Sequence, residues 1–223
     1  MASLNSPRKF CDDTFPTRLL EHVKLNAKER DMKSVLATID NYCWTVESGM
    51  NVGDKKGAIL DTIIKERAPK IVLEFGTYCG YSAIRMASCL ETGTKLYTLE
   101  NNSYHAQIAR EMIKFAGADE IVTVLEGSSS EILPDLKKTY NVQSFDFVFI
   151  DHWKNLYLPD FKTLESLKLI QSGSVCVADN CIYPGCPDFL EYVRNSQKYD
   201  TTNYKSYLEY HETEDSIEKV VVK

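Results

Sequence analysis

No apolar run in this chain approaches the roughly 20 residues that span a bilayer. Its first fifteen residues, MASLNSPRKFCDDTF, lack an apolar centre and carry Asp12 and Asp13, so a secretory leader is not expected either. Positive charge is in deficit: 26 Lys and Arg stand against 32 Asp and Glu, a net charge of −6. A surface that tracks a phosphate backbone needs the opposite balance, which argues against nucleic acid as the main partner and leaves room only for a local basic patch. The seven cysteines (11, 43, 79, 89, 176, 181 and 186) contain no Cys-x-x-Cys pair. A disulfide framework or a zinc cluster is therefore not expected, and reduced thiols in the cytoplasm fit better. Cys176, Cys181 and Cys186 are evenly spaced around a predicted strand and are not read as metal ligands. Internal repeats and low-complexity stretches are absent, as is the Gly-x-Gly-x-x-Gly string of a pyrophosphate-binding turn.

What remains is an ordinary globular composition. The 223 residues are 43% hydrophobic and 26% charged, which suits one domain. Residues 1–15 read as a flexible N-terminus and 16–223 as a single domain. Within it, residues 16–68 carry helical periodicity: Val35, Leu36, Ile39, Tyr42 and Cys43 share one face, and Ile59, Leu60, Ile63 and Ile64 another. A break at residues 49–53 separates these two helices. This helical cap precedes a sheet core at 69–223.

The core alternates. Short apolar runs at 70–75 (KIVLEF), 95–100 (KLYTLE), 121–125 (IVTVL), 145–150 (FDFVFI) and 174–178 (SVCVA) read as buried parallel strands. Helices are predicted at 81–91, 103–116, 130–140, 159–170 and 187–197. Two further strands, 204–210 and 217–222, flank an acidic turn at 212–215 and read as an edge hairpin. The pattern predicts an α/β fold: right-handed βαβ units, a mostly parallel sheet covered on both faces, and a terminal antiparallel pair.

Ligands of open α/β sheets bind beyond the carboxyl ends of the strands. The first strand leads into Gly76-Thr-Tyr-Cys-Gly80, a small-residue turn that lets a ligand approach the backbone at a helix start. Glu100 ends the next strand, about 20 residues on, where an acid can accept both hydroxyls of a ribose. Turn and acid together point to a nucleoside-containing cofactor; the turn alone also fits an ordinary strand–helix connection. Asp151 ends the fourth strand and Asp179-Asn180 the fifth. Neighbouring strands lie roughly 4.8 Å apart, so these ends would gather two carboxylates and an amide oxygen, a donor set for a hard cation such as Mg²⁺. Each residue also fits a simple cap. Lys154, three residues after Asp151, can serve as a base in a desolvated cleft beside a dication. His152 more readily packs or donates one bond than binds metal, and Trp153 either stacks on a planar ligand or covers the sheet edge. Glu209 alone would be read as an edge charge that discourages aggregation.

Four strings, LEFGTYCGYSAIRMA, FDFVFIDHWKNLYLPD, VADNCIYPGCPDFLEYVR and SYLEY, closely resemble the catechol O-methyltransferases. GMNVGDKKGAILD, residues 49–61, resembles that family's cofactor-covering segment, and the likeness runs from about residue 19 to 222. The resemblance implies a Rossmann-like class I methyltransferase domain with a seven-stranded sheet, and a small-molecule catechol as substrate. It implies S-adenosylmethionine as cosubstrate and Mg²⁺ held by Asp151, Asp179 and Asn180. Lys154 falls on the general base, and Glu209 on the acceptor for the second catechol hydroxyl. Glu100 falls on the ribose acid. Met50, Val52, Glu74, Gly76, Tyr78, Ser82, Asn101, Gly127, Ser129, Ser130, Asp151, His152 and Trp153 fall on or beside the remaining cofactor contacts. Lys154, Asn180, Pro184 and Glu209 fall on the substrate side.

The implied reaction is an in-line displacement of the sulfonium methyl by a phenol oxygen. The sequence departs from the family at Ser48, where a Trp is usual, with Trp44 four residues earlier. It departs also at Asn101, Ser130 and Tyr183. These positions bear on substrate preference and cofactor affinity, not on the metal and base. Two other readings stand beside the first: an O-methyltransferase for another vicinal diol, of caffeoyl or flavonoid type, and a non-catalytic relative acting as a protein partner. Retention of Asp151, Lys154, Asp179, Asn180 and Glu209 argues against the last. A monomer is the default expectation.

Overall fold

The strands form because alternate residues have two different places to go. In the computed structural model, which describes residues 9–223, Val72, Phe147, Phe149, Val175 and Val177 face one apolar layer. Leu73, Phe75, Val148, Ile150, Cys176 and Ala178 face the other. A period of two with both faces apolar is what a sheet buried between helices demands.

The sheet has seven strands in the order β5-β4-β3-β6-β7-β9-β8. β3 (Ile71–Phe75), β4 (Lys95–Glu100), β5 (Val122–Glu126), β6 (Phe147–Ile150) and β7 (Val175–Ala178) run parallel. β9 (Glu214–Val222) enters antiparallel between β7 and β8 (Tyr199–Tyr207). One face is covered by α1 (Phe15–Asn26), α2 (Met32–Thr45), α3 (Gly53–Arg67), α4 (Tyr81–Ala87) and α5 (Ser103–Ala116). The other is covered by α6 (Ser129–Ile132), α7 (Leu136–Thr139), α8 (Tyr157–Ser166) and α9 (Pro187–Arg194). The predicted doubly wound fold and helical cap are therefore present. Among the described residues, no helix is long and apolar enough to cross a membrane.

The helices predicted at 81–91 and 187–197 end early, at Ala87 and Arg194, and the one predicted at 159–170 runs from Tyr157 to Ser166; three larger details also differ. Residues 1–8 of the expected flexible segment lie outside the described residues, but β1 (Lys9–Phe10) pairs in parallel with β2 (Glu47–Ser48), so ordered pairing starts before residue 16. The helix predicted over 130–140 is split into α6, a 3₁₀ turn at Leu133–Asp135 and α7. Pro134 has no N–H to give to a continuous helix. The hairpin is longer than predicted and its turn falls earlier. The turn is closed by Leu208 N–H donating to Thr213 O at 2.8 Å. Edge strand β8 is half exposed and rich in polar residues, so its start carried little apolar signal. Two placements change as a result: Glu209 sits in the turn, and Asp215 sits inside β9.

β3 and β6 lie side by side with their crossover helices on opposite faces, which opens a cleft above their carboxyl ends. Phe149 of β6 is fully buried two residues before that edge. Phe149→Ala is expected to destabilise the chain by about 3–5 kcal/mol, read as a lower urea midpoint. A change under about 1 kcal/mol would mean that the sheet centre repacks freely.

Candidate active site

β6 and β7 pair in register, Ile150 beside Ala178, so the next residues on each, Asp151 and Asp179, come side by side at the sheet edge. The ladder continues one step past the strands: Asp151 N–H donates to Phe75 O and Asp179 N–H to Ile150 O, both at 3.0 Å. Asn180 then turns into the left-handed region (φ 52°, ψ 46°), which a short polar side chain tolerates. Lys154 reaches back over this edge. Its ammonium lies 2.9 Å from Asn180 Oδ1 and 3.3 Å from Asp151 Oδ1, and also donates to the Tyr157 hydroxyl. The four residues expected to meet here do meet.

A second lysine completes the group. Lys56 of α3 is fully buried, with Nζ 3.0 Å from Asp179 Oδ2, 3.2 Å from Glu209 Oε2 and 2.7 Å from Asp215 Oδ2. Burial alone would lower its pKa; Asp179, Glu209 and Asp215 together raise it above the ordinary value, so it stays charged. Asp215 shows the converse. Burial pushes its carboxyl up, and Lys56 with the N–H groups of Tyr183 and Ser216 holds it below the usual range. Sequence reading missed both. Lys56 stands four and seven residues before Leu60 and Ile63, on their buried helical face, and Asp215 two residues before buried Ile217. Those periodicities were the available signals. Tyr157, fully buried beneath Lys154, was also missed. Burial first, then Asp151 and Asp179, keep its hydroxyl protonated.

The acids at this edge fit a hard cation. Two carboxylates and an amide oxygen converge, and Asp179 Oδ1, within 2.9 Å of Lys56 Nζ, accepts no hydrogen bond. Burial and then the neighbouring Asp179 push Asp151 up to about 7. Like charges crowded in this way are relieved by a positive charge among them. Glu209, raised in the same direction by burial and then Asp179, though lowered by Lys56, faces the same group from the turn.

The other lobe lies over β3 and β4. Gly76 (φ 93°) lets β3 pass close beneath the β6 edge: a Cβ there would stand 2.3 Å from Asp151 O. Glu100 holds the turn together. Its Oε2 accepts from Tyr78 N–H at 2.8 Å, and its Oε1 from Asn102 N–H at 2.9 Å. Gly127 N–H donates to Glu100 O at 2.9 Å, which draws the end of β5 to the same place. Glu74 is fully buried beneath, accepting from Thr98 Oγ1 at 2.5 Å. Its Oε1 has no hydrogen-bond partner, and burial pushes its carboxyl up to about 8. Val52 is fully buried at the start of α3.

His152 is sandwiched between Phe75 and Tyr157, its ring centroid 5.1 Å and 5.2 Å from theirs. Its Nε2 pairs with Asp160 Oδ2 at 2.8 Å, and Ser129 Oγ donates to Asp160 Oδ1 at 2.9 Å. Asp160 thus joins two expected cofactor-side residues that sequence reading left separate. Met50, Asn101, Ser130, Trp153 and Pro184 are all exposed. Trp44 packs edge-on against Tyr210, the neighbour of Glu209, with its indole N–H on Asp54. Ser48 is taken up in the β1–β2 pairing.

Glu74 makes a pH prediction. An acid raised on folding binds an extra proton between its unfolded value of about 4.3 and its folded value of about 8. Stability contributed at this position should fall as pH rises through that window. Thermal melts of the ligand-free chain from pH 5 to 8 should show wild type losing several degrees relative to Glu74→Gln. Parallel curves would mean that Glu74 is ionised throughout.

Among known proteins, the O-methyltransferase family profile matches residues 27–217. Catechol O-methyltransferase of Mus musculus is 50% identical over 204 residues, 92% of this chain and 77% of the relative. Catechol O-methyltransferase B of Danio rerio is 49% identical over 208 residues, 93% of this chain and 79% of that one. In fold, the crystal structure of an O-methyltransferase from Bacillus cereus in complex with SAH superposes with a TM-score of 0.72 at 24% identity, covering 99% of this chain and 94% of the other. With the O-methyltransferase profile covering residues 27–217 and half of the aligned residues shared with the mouse relative, the chain belongs to the catechol O-methyltransferase family of S-adenosylmethionine-dependent O-methyltransferases.

Proposed function

We propose that the chain transfers the methyl group of S-adenosylmethionine to one hydroxyl of a small-molecule catechol, with Asp151, Asp179 and Asn180 holding a Mg²⁺ ion and Lys154 acting as general base. The observation that carries this reading is the convergence of one lysine, two carboxylates and an amide oxygen at adjacent strand ends, with Lys154 Nζ 2.9 Å from Asn180 Oδ1 and 3.3 Å from Asp151 Oδ1. The names of the mouse and zebrafish relatives support the substrate class.

In the methyl transfer, a carbon–sulfur bond breaks as a carbon–oxygen bond forms, so the accepting oxygen must shed its proton. A phenol has a pKa of about 10 and is a poor nucleophile at neutral pH. A bound Mg²⁺ would act as a Lewis acid, lowering the pKa of a chelating catechol. Lys154, acting as the neutral amine after its ammonium has given a proton to solvent, takes the proton of the reacting hydroxyl at Nζ. Tyr157 sets the reach of that side chain from below through its hydroxyl. Glu209 accepts the hydrogen bond of the second hydroxyl, its carboxylate steadied by Lys56 at 3.2 Å. Both hydroxyls are thus oriented before the reaction, which is where a positioned pair of reactants gains most. Glu100 keeps lone pairs on both oxygens after its bonds to Tyr78 and Asn102, enough to accept two ribose hydroxyls. Glu74 and Ser82 line the methionine end, and Gly76 allows the cofactor to lie close to the backbone. Met50, Trp153 and Pro184 form the apolar rim over the catechol ring. None of the seven cysteines is joined in a disulfide, which suits a reducing compartment.

The deciding assay is methyl transfer from labelled S-adenosylmethionine to a simple catechol, with Mg²⁺ and with EDTA. Turnover with Mg²⁺ that EDTA abolishes is expected, with little turnover of a monophenol. Turnover indifferent to EDTA would remove the metal from the reading. Lys154→Ala should lower kcat by about 100-fold or more while the cofactor Kd, measured by calorimetry, stays within a few-fold. A collapse of cofactor binding would make Lys154 structural.

A further inference from the structure

An asparagine amide has an oxygen end and an NH₂ end of nearly the same shape, and only its surroundings decide which end faces where. The cation site proposed above needs the oxygen of Asn180. At this position the choice is made from behind, by Asp215. Asp215 is fully buried at the start of β9. Its Oδ2 accepts from Asn180 Nδ2 at 3.1 Å and from Lys56 Nζ at 2.7 Å. Its Oδ1 accepts from the backbone N–H groups of Ile182 and Tyr183, both at 3.1 Å. An ionised carboxylate offers only acceptors, so the amide can meet it only with its NH₂ end. Oδ1 must then point the other way, to where Lys154 meets it at 2.9 Å.

We propose that Asp215 is a positioning residue that sets the Asn180 amide oxygen toward the cation site, and that Lys56 holds Asp215 in place for this task; the proposal rests on the metal reading given above. The four acceptor contacts span three elements. Lys56 comes from α3, Asn180 from the end of β7, and Ile182 and Tyr183 from the segment leading to Pro184 on the substrate rim. One carboxylate therefore ties the cation donor and the substrate wall to the same buried point. Without it, Asn180 Nδ2 would be left beside Lys56, donor against donor, and the amide would gain by turning over.

The test exchanges donor and acceptor. Asp215→Asn places a second amide behind Asn180 and turns one of the two acceptor oxygens into an NH₂ donor, so the residue can no longer accept both from Asn180 and Lys56 and from the Ile182 and Tyr183 N–H groups. Asn180→Asp on top of it restores one carboxylate to the pair, conserves charge and again leaves an oxygen facing the site. Two readouts serve the metal-free and metal-bound questions. The first is the side-chain amide NMR signal of Asn180 without metal or cofactor. It should show slow proton exchange in the unsubstituted chain and lose it in Asp215→Asn. The second is Mn²⁺ affinity of the cofactor-free chain by calorimetry. It should fall at least tenfold in Asp215→Asn, as outer partners of metal ligands commonly produce, and return to within about threefold in the double variant.

Unchanged affinity and an unchanged amide signal in Asp215→Asn would overturn the proposal. So would a double variant as weak as the single one, since Asp215 would then act only as the counter-ion of Lys56. If Asp215→Asn does not stay folded, the charge-conserving double variant decides by the same affinity criterion. Lack of Mn²⁺ binding by the unsubstituted chain would overturn the metal reading, and with it the purpose assigned to Asp215. A lost amide signal would then still establish that Asp215 orients Asn180.

Discussion

One ammonium at the end of the sheet makes the rest of the site possible. Lys56 is fully buried and touches three carboxylates: Asp179 at the end of β7, Glu209 in the hairpin turn and Asp215 in β9. Buried acids at this density repel one another and lose the hydration that charge requires. Remove the lysine and at least one of them must take up a proton or open to water. With it, acids from separate elements share one counter-ion, and α3 is fastened to the carboxyl edge of the sheet. The helical cap is therefore an electrostatic part of the site as well as a cover over it.

The same edge divides two kinds of work. On the β6–β7 side, charge is concentrated: Asp151, Asp179, Lys56 and Lys154 lie within hydrogen-bonding or ion-pair distance of a neighbour. On the β3–β4 side, burial suppresses the charge of Glu74, which is pushed up to about 8. Glu100 gives both oxygens to backbone N–H groups. Between the two lobes, His152 stacks on Phe75 and Tyr157 and hands its Nε2 to Asp160. That wall fixes the spacing of the lobes. Gly76 keeps it close, because the backbone of β6 occupies the space where a side chain would begin.

Much of this was legible along the chain because the signals are local. FDFVFI and SVCVA are apolar runs that stop abruptly at Asp151 and Asp179, and a polar residue just after a buried strand has few places to be except the sheet edge. Lys154 was within reach for the same reason. Other residues were hidden because their partners are distant. Lys56 follows another lysine in an exposed-looking helical string and finds its acids 123, 153 and 159 residues away. Asp215 looked like one more charge of an acidic turn, until the longer hairpin drew it into β9. Tyr157 and Asp160 belong to a helix that periodicity placed two residues late, and nothing local marked them as supports for Lys154, Ser129 and His152.

Alternation of apolar runs, the glycine turn and the strand-end acids were enough by themselves to determine a doubly wound sheet and the edge on which chemistry must sit, because burial of each strand is dictated by its own residues. The identity of the acid behind Asn180, the lysine shared by three carboxylates and the turn position of Glu209 were decided only by tertiary structure. Each depends on pairing between segments far apart in the chain, and a charge has no preferred place until the fold shows which opposite charge is buried beside it.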